Sequence, residues 1–316
     1  MTAAPKVSVV VPTRNRVARL ERTLDALAAQ HTSLPFEVIV VDDASEDGTA
    51  AVLRARLEAG DVPGLRIIRR NQPSGPGGAR NAGWPHASAP LVAFTDDDCE
   101  PTPGWLAGVL NAAASDENVV VQGPTIPNPN EADSIGPFSR TIDVRRLGPW
   151  FPTSNISYSK ALLERLGGFD ATLTRGEDTD LAWRAIKSGA RPRWAEEAAV
   201  WHAVMQLGPT GKLRLAAAWA PAVRVMALHP HLRRELFAGV FWKESHALLF
   251  LALLGLGLSR WCRPAVVLVL PYVRYLRATV AQQGVGAGWM AYQGVHDLAE
   301  VAAMAQGSVR ARTLLL

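Results

Sequence analysis

The sequence predicts an α/β protein built on a doubly wound, mostly parallel sheet, followed by a helical C-terminal region. Three observations carry this expectation: short apolar runs alternate with helix-period segments, a polar cluster follows each run, and charge and periodicity change together near Gly208. Val7–Val11 and Phe36–Val41 are nearly continuous and rich in β-branched residues, as strands buried on both faces should be. Between them, Val17–Gln30 places leucines at 20, 24 and 27, one face of a helix. Thr49–Leu57 reads as a helix before the strand Leu65–Ile68, and Ala79–Ala87 as a helix before the strand Leu91–Phe94. Strand and helix alternating in this way give a doubly wound sheet.

A chain of 316 residues accommodates one large α/β domain and an appendage. With 48% hydrophobic and 20% charged residues, the composition excludes a disordered chain. The net charge of +4 is unevenly spread: residues 1–205 hold 21 Lys+Arg and 25 Asp+Glu, net −4, whereas 206–316 hold 12 and 4, net +8. The basic third is also rich in Leu, Val, Ala and Trp, so an anionic membrane surface suits it better than nucleic acid, for which no stacked-aromatic motif is present. Cys99 and Cys262 are far apart and lack zinc-ligand spacing, which argues against a disulfide framework and fits a reducing cytoplasm. The apolar run after the N-terminus is strand-sized and ends at Pro12, unlike a signal peptide.

In a doubly wound sheet the loops after the strands gather at the strands' carboxyl ends, where ligands bind. Four polar clusters should therefore converge: Pro12-Thr13-Arg14-Asn15, Asp42-Asp43-Ala44-Ser45, Ser74-Gly75-Pro76-Gly77-Gly78 leading into Arg80, and Thr95-Asp96-Asp97-Asp98. Gly123–Pro152 reads as an irregular insertion, Lys160–Leu166 and Asp178–Ser188 as helices, and Ala198–Trp201 as a last strand. Beyond Gly208 the apolar runs Ala247–Leu258 and Ala265–Val273 are separated by Arg260 and Arg263. Each is shorter than the roughly 18–20 residues of an ordinary span, so a hairpin dipping into one leaflet or lying at its surface is expected.

Three adjacent carboxylates after a strand repel one another unless a cation is present, and Mg²⁺ or Mn²⁺ shared with phosphate oxygens is a suitable cation. An acidic turn capping a helix that begins near Pro103 is the alternative. Asp43 offers an acceptor for a base or ribose, and Arg80 a fork for phosphate oxygens. Together these loops supply the contacts a nucleoside diphosphate needs.

The segments VSVVVPTRNR, VIVVDDASEDGT, GGARNAG, LVAFTDDDCEP, GGFD and GEDTDLAWRAIKSG occur in an order that resembles the inverting family-2 glycosyltransferases of the GT-A fold, over residues 6–202. The resemblance implies that Pro12, Thr13, Asn15 and Asp43 line a nucleoside pocket and that Arg80 approaches the base or diphosphate. It makes Asp96 and Asp98 the ends of a DXD motif, with Asp98 on the metal, Asp96 toward ribose or metal-bound water, and Asp97 beside them in the donor site. The carboxylates of Gly176-Glu177-Asp178-Thr179-Asp180 suit a helix's first turn on electrostatic grounds alone. The family comparison makes Asp178 the general base, with Glu177 as alternative and Asp180 supporting the helix. By the same resemblance His202 is a third metal ligand, set against a structural role at a strand end, and Asn155 faces the acceptor. Trp183 reads equally as a sugar platform or core residue, and Gly167-Gly168-Phe169 as a turn.

The expectation is a GT-A-like domain over residues 1–205 and a basic, membrane-apposed helical region over 206–316, on the cytoplasmic side of the cell membrane. The donor would be a nucleotide diphosphate sugar, the acceptor a glycan or lipid-linked hydroxyl, and the cofactor a divalent cation. Two alternatives stand beside it. One is a sugar-nucleotide nucleotidyltransferase, disfavoured because no glycine-rich loop follows the first strand; the other is a non-catalytic sugar-nucleotide-binding protein.

Overall fold

A computed structural model of the chain describes residues 4–286 and 288–316, so the reading of the first three residues rests on sequence alone. The chain divides into two compact units, Met1–Ile135 with Arg140–Met205, and Gly136–Ser139 with Gln206–Leu316.

The first unit is built on a seven-stranded sheet. Its strands are β1 (Val7–Thr13), β2 (Phe36–Asp42), β3 (Arg66–Arg69), β4 (Leu91–Phe94), β6 (Val119–Gln122), β9 (Ile156–Ser159) and β10 (Arg191–Trp194), in the order β10-β6-β9-β4-β1-β2-β3. β1 lies parallel to β2 and β4, with Thr13 opposite Asp42 and Val10 opposite Phe94, so their carboxyl ends finish together. β9 runs antiparallel between β4 and β6. Three of the seven strands, β6, β9 and β10, are absent from the strand pattern read in the sequence. A second sheet joins β5 (Cys99–Pro101), β11 (Val200–His202) and β7 (Thr125–Pro127), with His202 opposite Cys99. The strand expected at Ala198–Trp201 thus belongs to this smaller sheet.

Both faces of the large sheet are covered. Val9 and Val11 pack with Leu20, Leu24 and Leu27 of α1 (Val17–Ala28) and with Trp105 and Leu106 of α4 (Trp105–Ala113). Val10, Ile39 and Val41 point the other way, against Phe94, Tyr158, Phe169 and Leu181. The α1 leucines are fully buried, and each such burial is worth about 1.5–3 kcal/mol. α2 (Thr49–Ala59) also joins the strands, while α3 spans Gly75–Gly83. The glycine-rich segment expected as a loop is therefore the first half of α3. Packing overrides propensity here, because a Cβ on Gly77 would stand 3.1 Å from Glu177 Cγ; at the other end of the helix one on Gly83 would stand 2.7 Å from Val10 Cγ1 and 2.8 Å from Val41 Cγ2.

α5 (Lys160–Leu166) ends in a turn at Gly167 and Gly168, and α6 spans Glu177–Lys187. Gly168 has φ +71°, and a Cβ there would lie 2.5 Å from both Asn81 Oδ1 and Trp84 Nε1. The insertion at 123–152 holds β7, a 3₁₀ turn at Pro129–Ser134 and the two-residue strand β8 (Ser139–Arg140), matched in length by β12 (Met205–Gln206).

The second unit is helical: α7 (Gly208–Ala217), α8 (Val223–Leu228), α9 (Glu244–Leu258), α10 (Leu270–Gln283) and α11 (Gly288–Ala311). A 3₁₀ segment, Arg263–Val269, runs directly into α10. The second apolar run is thus part of a continuous helical stretch, Arg263–Gln283, 21 residues long and apolar enough by composition to cross a membrane. The earlier reading stopped it at Val273, short of a span. α9 and the 3₁₀ segment form a close hairpin, since a Cβ on Gly255 would lie 2.7 Å from Leu268 Cβ and 2.8 Å from Ala265 O.

Candidate active site

The strand ends of the first unit surround a cleft of about 400 Å³. Pro12, Thr13, Asp43, Arg80, Asp96, Asp97, Asp98 and His202 all line it, so the fold gathers eight of the residues singled out in the sequence. Asn15 is outside the lining. With φ +52° it turns its carboxamide away, and its Oδ1 accepts from the Glu46 backbone N–H at 2.7 Å while its own N–H donates to Ser45 Oγ. Asn15 shapes the loop rather than facing the cleft.

Asp98 and His202 are set by strand pairing. Ala203 N–H donates to Asp98 O at 2.9 Å, and His202 Nε2 then lies 3.7 Å from Asp98 Oδ1. His202 Nδ1 is 2.8 Å from the carbonyl oxygen of Ala203 and 3.2 Å from Thr141 Oγ1. A carbonyl only accepts, so Nδ1 carries a proton, and Nε2 is the nitrogen that faces Asp98. The other Asp98 oxygen is held by Arg16, whose Nη1 donates to Oδ2 at 2.8 Å and to Asp97 Oδ1 at 3.0 Å. A buried carboxylate oxygen facing an imidazole nitrogen is a donor set that a divalent cation fits, and both side chains have the outer partners that would fix such groups. Cys99 adds a buried thiol to this group, but its pKa is pushed well up by burial, which keeps it protonated.

Asp96 departs from the expected metal set. Its Oδ1 accepts from Arg80 Nη2 at 2.6 Å, and it stands outside the Asp98–Cys99–His202 group. Arg80 differs from expectation as well: its other terminal nitrogen donates to Glu177 Oε1 at 3.1 Å, so both are engaged by carboxylates. Asp97 accepts from Thr13 Oγ1 at 2.8 Å, and burial pushes its carboxyl up to about 6 against the pull of Arg16. Asp43 is tied to the start of α3, accepting from the Ser74 N–H at 2.9 Å, Ser74 Oγ at 2.9 Å and the Gly75 N–H at 3.1 Å.

Glu177 and Asp178 open α6 and are not part of the cleft lining. Burial, reinforced by the adjacent Glu177, pushes the Asp178 carboxyl up to about 7 despite nearby Arg80. Asp180 bonds Arg184 Nε at 2.7 Å, a pair within the helix. Asn155 is buried and outside the cleft lining: its Oδ1 accepts from Trp105 Nε1, and its Nδ2 donates to Pro124 O and Ala198 O. Trp183 packs edge-on against Phe151 and donates to Pro149 O.

Arg14, part of the first converging cluster, also lines the cleft, whereas sequence reasoning missed Arg16, Arg140, Ile142, Arg175 and Met205. Arg16 lies inside a quoted motif and was open to notice, whereas nothing in the sequence distinguishes Arg140 or Arg175 from other surface arginines. Burial and the neighbouring Arg140 both lower the pKa of Arg175, as expected of like charges crowded on one wall.

A doubly wound sheet with a cleft lined by arginines and aspartates at its strand ends defines an α/β protein of the GT-A-like class. Residues 8–171 match Glycosyl transferase family 2, and the chain belongs to that family of transferase enzymes. A related description, Glycosyl transferase family group 2, matches residues 91–280. The chain is 34% identical over 211 residues to pre-mycofactocin glycosyltransferase of Mycobacterium tuberculosis, covering 62% of this chain and 42% of that protein. It is 33% identical over 276 residues to validoxylamine A glucosyltransferase of Streptomyces hygroscopicus subsp. jinggangensis, covering 75% and 64%. The chain therefore spans less than two thirds of either relative. Among solved structures, the mannosyltransferase PcManGT from Pyrobaculum calidifontis in complex with GDP-Man and Mn²⁺ matches with a TM-score of 0.60 at 23% identity, over 98% of this chain and 88% of that one. S. aureus TarS 1–349 in complex with UDP matches with a TM-score of 0.53 at 20% identity, over 96% and 91%.

Proposed function

We propose that the protein is a divalent-metal-dependent, inverting glycosyltransferase that moves a sugar from a nucleotide diphosphate sugar to an acceptor hydroxyl, in cell-envelope glycan or glycolipid synthesis. The observation that carries this reading is the Asp98–His202 pair, 3.7 Å apart with the imidazole Nδ1 held by the Ala203 carbonyl, in the same cleft as Arg140 and Arg175. PcManGT, solved with GDP-Man and Mn²⁺, supports the donor and metal classes by analogy.

In this reading Asp98 Oδ1 and His202 Nε2 hold Mg²⁺ or Mn²⁺, and Pro12, Thr13 and Asp43 border the nucleoside. When bound, the ion supplies neutralising charge for the departing diphosphate. Arg140 and Arg175 add positive charge on the same wall. Asp178 takes the acceptor proton as the hydroxyl oxygen attacks the anomeric carbon opposite the diphosphate, which inverts that centre. Glu177, held by Arg80 beside Asp178, adds to burial in raising the Asp178 carboxyl.

The test is a mass-resolved screen of UDP-, GDP- and dTDP-sugars with Mn²⁺ and lipid or glycan acceptors, on the wild type and Asp178→Asn. An amide cannot accept the proton, so transfer should fall by about three orders of magnitude while donor binding stays within about twofold. Equal turnover in the variant rejects Asp178 as base, and no transfer with any donor rejects the reading.

Attachment to the cytoplasmic face of a membrane belongs to the same proposal. Trp261, Phe250, Val266, Val267 and Leu270 are 83%, 51%, 51%, 56% and 55% exposed around the turn between α9 and α10, and Arg260 and Arg263 flank Trp261. Apolar side chains beside arginines suit insertion among anionic headgroups. Full-length protein should pellet with phosphatidylglycerol vesicles and resist a high-salt wash, and Trp261→Ser with Val267→Ser should release most of it. Protein that remains soluble and monodisperse without lipid would remove the membrane from the reading.

A further inference from the structure

The helical unit buries a second set of ligand-type side chains that sugar transfer does not use. His246 on α9 meets His296, Asp297 and Glu300 on α11. His246 Nε2 is 3.2 Å from Glu300 Oε2, and His296 Nδ1 is 3.5 Å from the same oxygen and 4.0 Å from Asp297 Oδ1. One ligand atom from each of His246, Asp297 and Glu300 falls within 4.8 Å of the others. The four residues are 0%, 7%, 0% and 5% exposed.

Two buried carboxylates need compensating positive charge. One cation is already drawn to them: Lys243 Nζ lies 2.8 Å and 2.6 Å from the two oxygens of Glu300. Its side chain is 42% exposed, so the ammonium can withdraw to water without unfolding the unit. Lys212, further off, also senses Lys243 and Glu300. Asp297 is oriented by Tyr272 Oη at 2.9 Å and Gln293 Nε2 at 2.8 Å, the kind of outer contact that steadies a metal-binding carboxylate. His296 Nδ1 is buried beside both carboxylates and makes no hydrogen bond.

We infer that His246, Asp297 and Glu300 form a resident divalent-metal site, separate from the cleft, that binds a Zn²⁺-class ion through one imidazole nitrogen and two carboxylate oxygens, with His296 beside it. Three such protein ligands suit Zn²⁺, whose fourth position is open to water or to the neighbouring imidazole. The ion's two charges balance the two carboxylates, and Lys243 moves to solvent. The site would clamp α9 to α11.

The test uses the full chain carrying Asp98→Ala and His202→Ala, which removes the cleft's ligands, titrated calorimetrically with Zn²⁺ alone. One equivalent should bind, and the thermal midpoint should rise with it. Adding Glu300→Gln should weaken binding about 100-fold and abolish the thermal shift. Adding Lys243→Met should tighten binding about tenfold, because a competing cation is gone; a purely structural ion pair predicts no gain in Zn²⁺ affinity. If Glu300→Gln fails to fold, Lys243→Met and Co²⁺ absorption of the background chain decide. No Zn²⁺ uptake by that background, unchanged affinity on adding Glu300→Gln, or no tightening with Lys243→Met overturns the inference.

Discussion

The two histidine–carboxylate groups are assembled by different means. In the cleft, strand register and the Ala203-to-Asp98 backbone bond bring His202 and Asp98 together, and the pair borders an open cavity. In the C-terminal unit, His246 and the His296–Glu300 segment ride on separate helices, and side-chain packing alone sets their spacing. Backbone-fixed ligands beside a cavity suit an ion that comes and goes with a donor, whereas enclosed ligands suit one that stays. Charge follows the same division. In the first unit burial raises Asp97 to about 6 and Asp178 to about 7. Glu300 is instead held below the usual carboxylate range: burial opposes this, but the His246 hydrogen bond and Lys243 prevail.

The sharpest way to break this contrast is Asp98→Ala. Calorimetry with Mn²⁺ and a nucleoside diphosphate should show metal-dependent binding weakened by about 100-fold or more. Unchanged affinity would leave the cleft with no claim to the exchangeable ion.

The next effect is a pH limb. Asp178 must be ionised to accept a proton, so transfer should rise about tenfold per pH unit up to about 7 and level off above it. The sign for stability is opposite. A carboxyl raised in the folded state favours the protonated fold, so ionisation costs stability as pH climbs from about 4, its unfolded value, through 7. Asp178→Asn should therefore raise the melting temperature more at pH 8 than at pH 4. A flat rate profile, or a pH-independent gain, would contradict the assignment.

His202→Gln should cost about tenfold in Mn²⁺ affinity measured with nucleotide, and Thr141→Val only about threefold, because Thr141 acts through the ring. If Thr141→Val costs as much as His202→Gln, the backbone carbonyl of Ala203 is not what fixes the ring.

Continuous apolar runs made β1, β2 and β4 legible, although β6, VVVQ and buried throughout, was missed despite the same pattern. β1, β2 and β4 are buried on both faces and look it. β9 is ISYS, with both serines buried inside the sheet, and β10 is RPRW, exposed enough to carry two arginines and a proline. Neither pattern announces a strand without its neighbours. The glycines of α3 argued for a loop because their reason for being there, close approach to Val10, Val41 and Glu177, lies far off in sequence. Most of the cleft was readable because sheet topology forces the loops after β1, β2 and β4 together. Asn15 and Asn155 were misplaced for the opposite reason, since each satisfies local backbone groups that no motif reveals. The C-terminal cluster was invisible: His246 and Glu300 are 54 positions apart, and only the packing of α9 on α11 joins them.

Arg80 is held at both ends, by Asp96 in the carboxylate loop and by Glu177 in the first turn of α6. Its guanidinium also lies over the Phe169 ring, 5.7 Å from the centroid, in the turn between α5 and α6. The guanidinium is thus a rivet through the carboxylate loop and the first turn of α6. Under the proposed function that rivet ties the donor side of the cleft to the residue next to Asp178, so the two halves of the proposed reaction would share one mechanical joint.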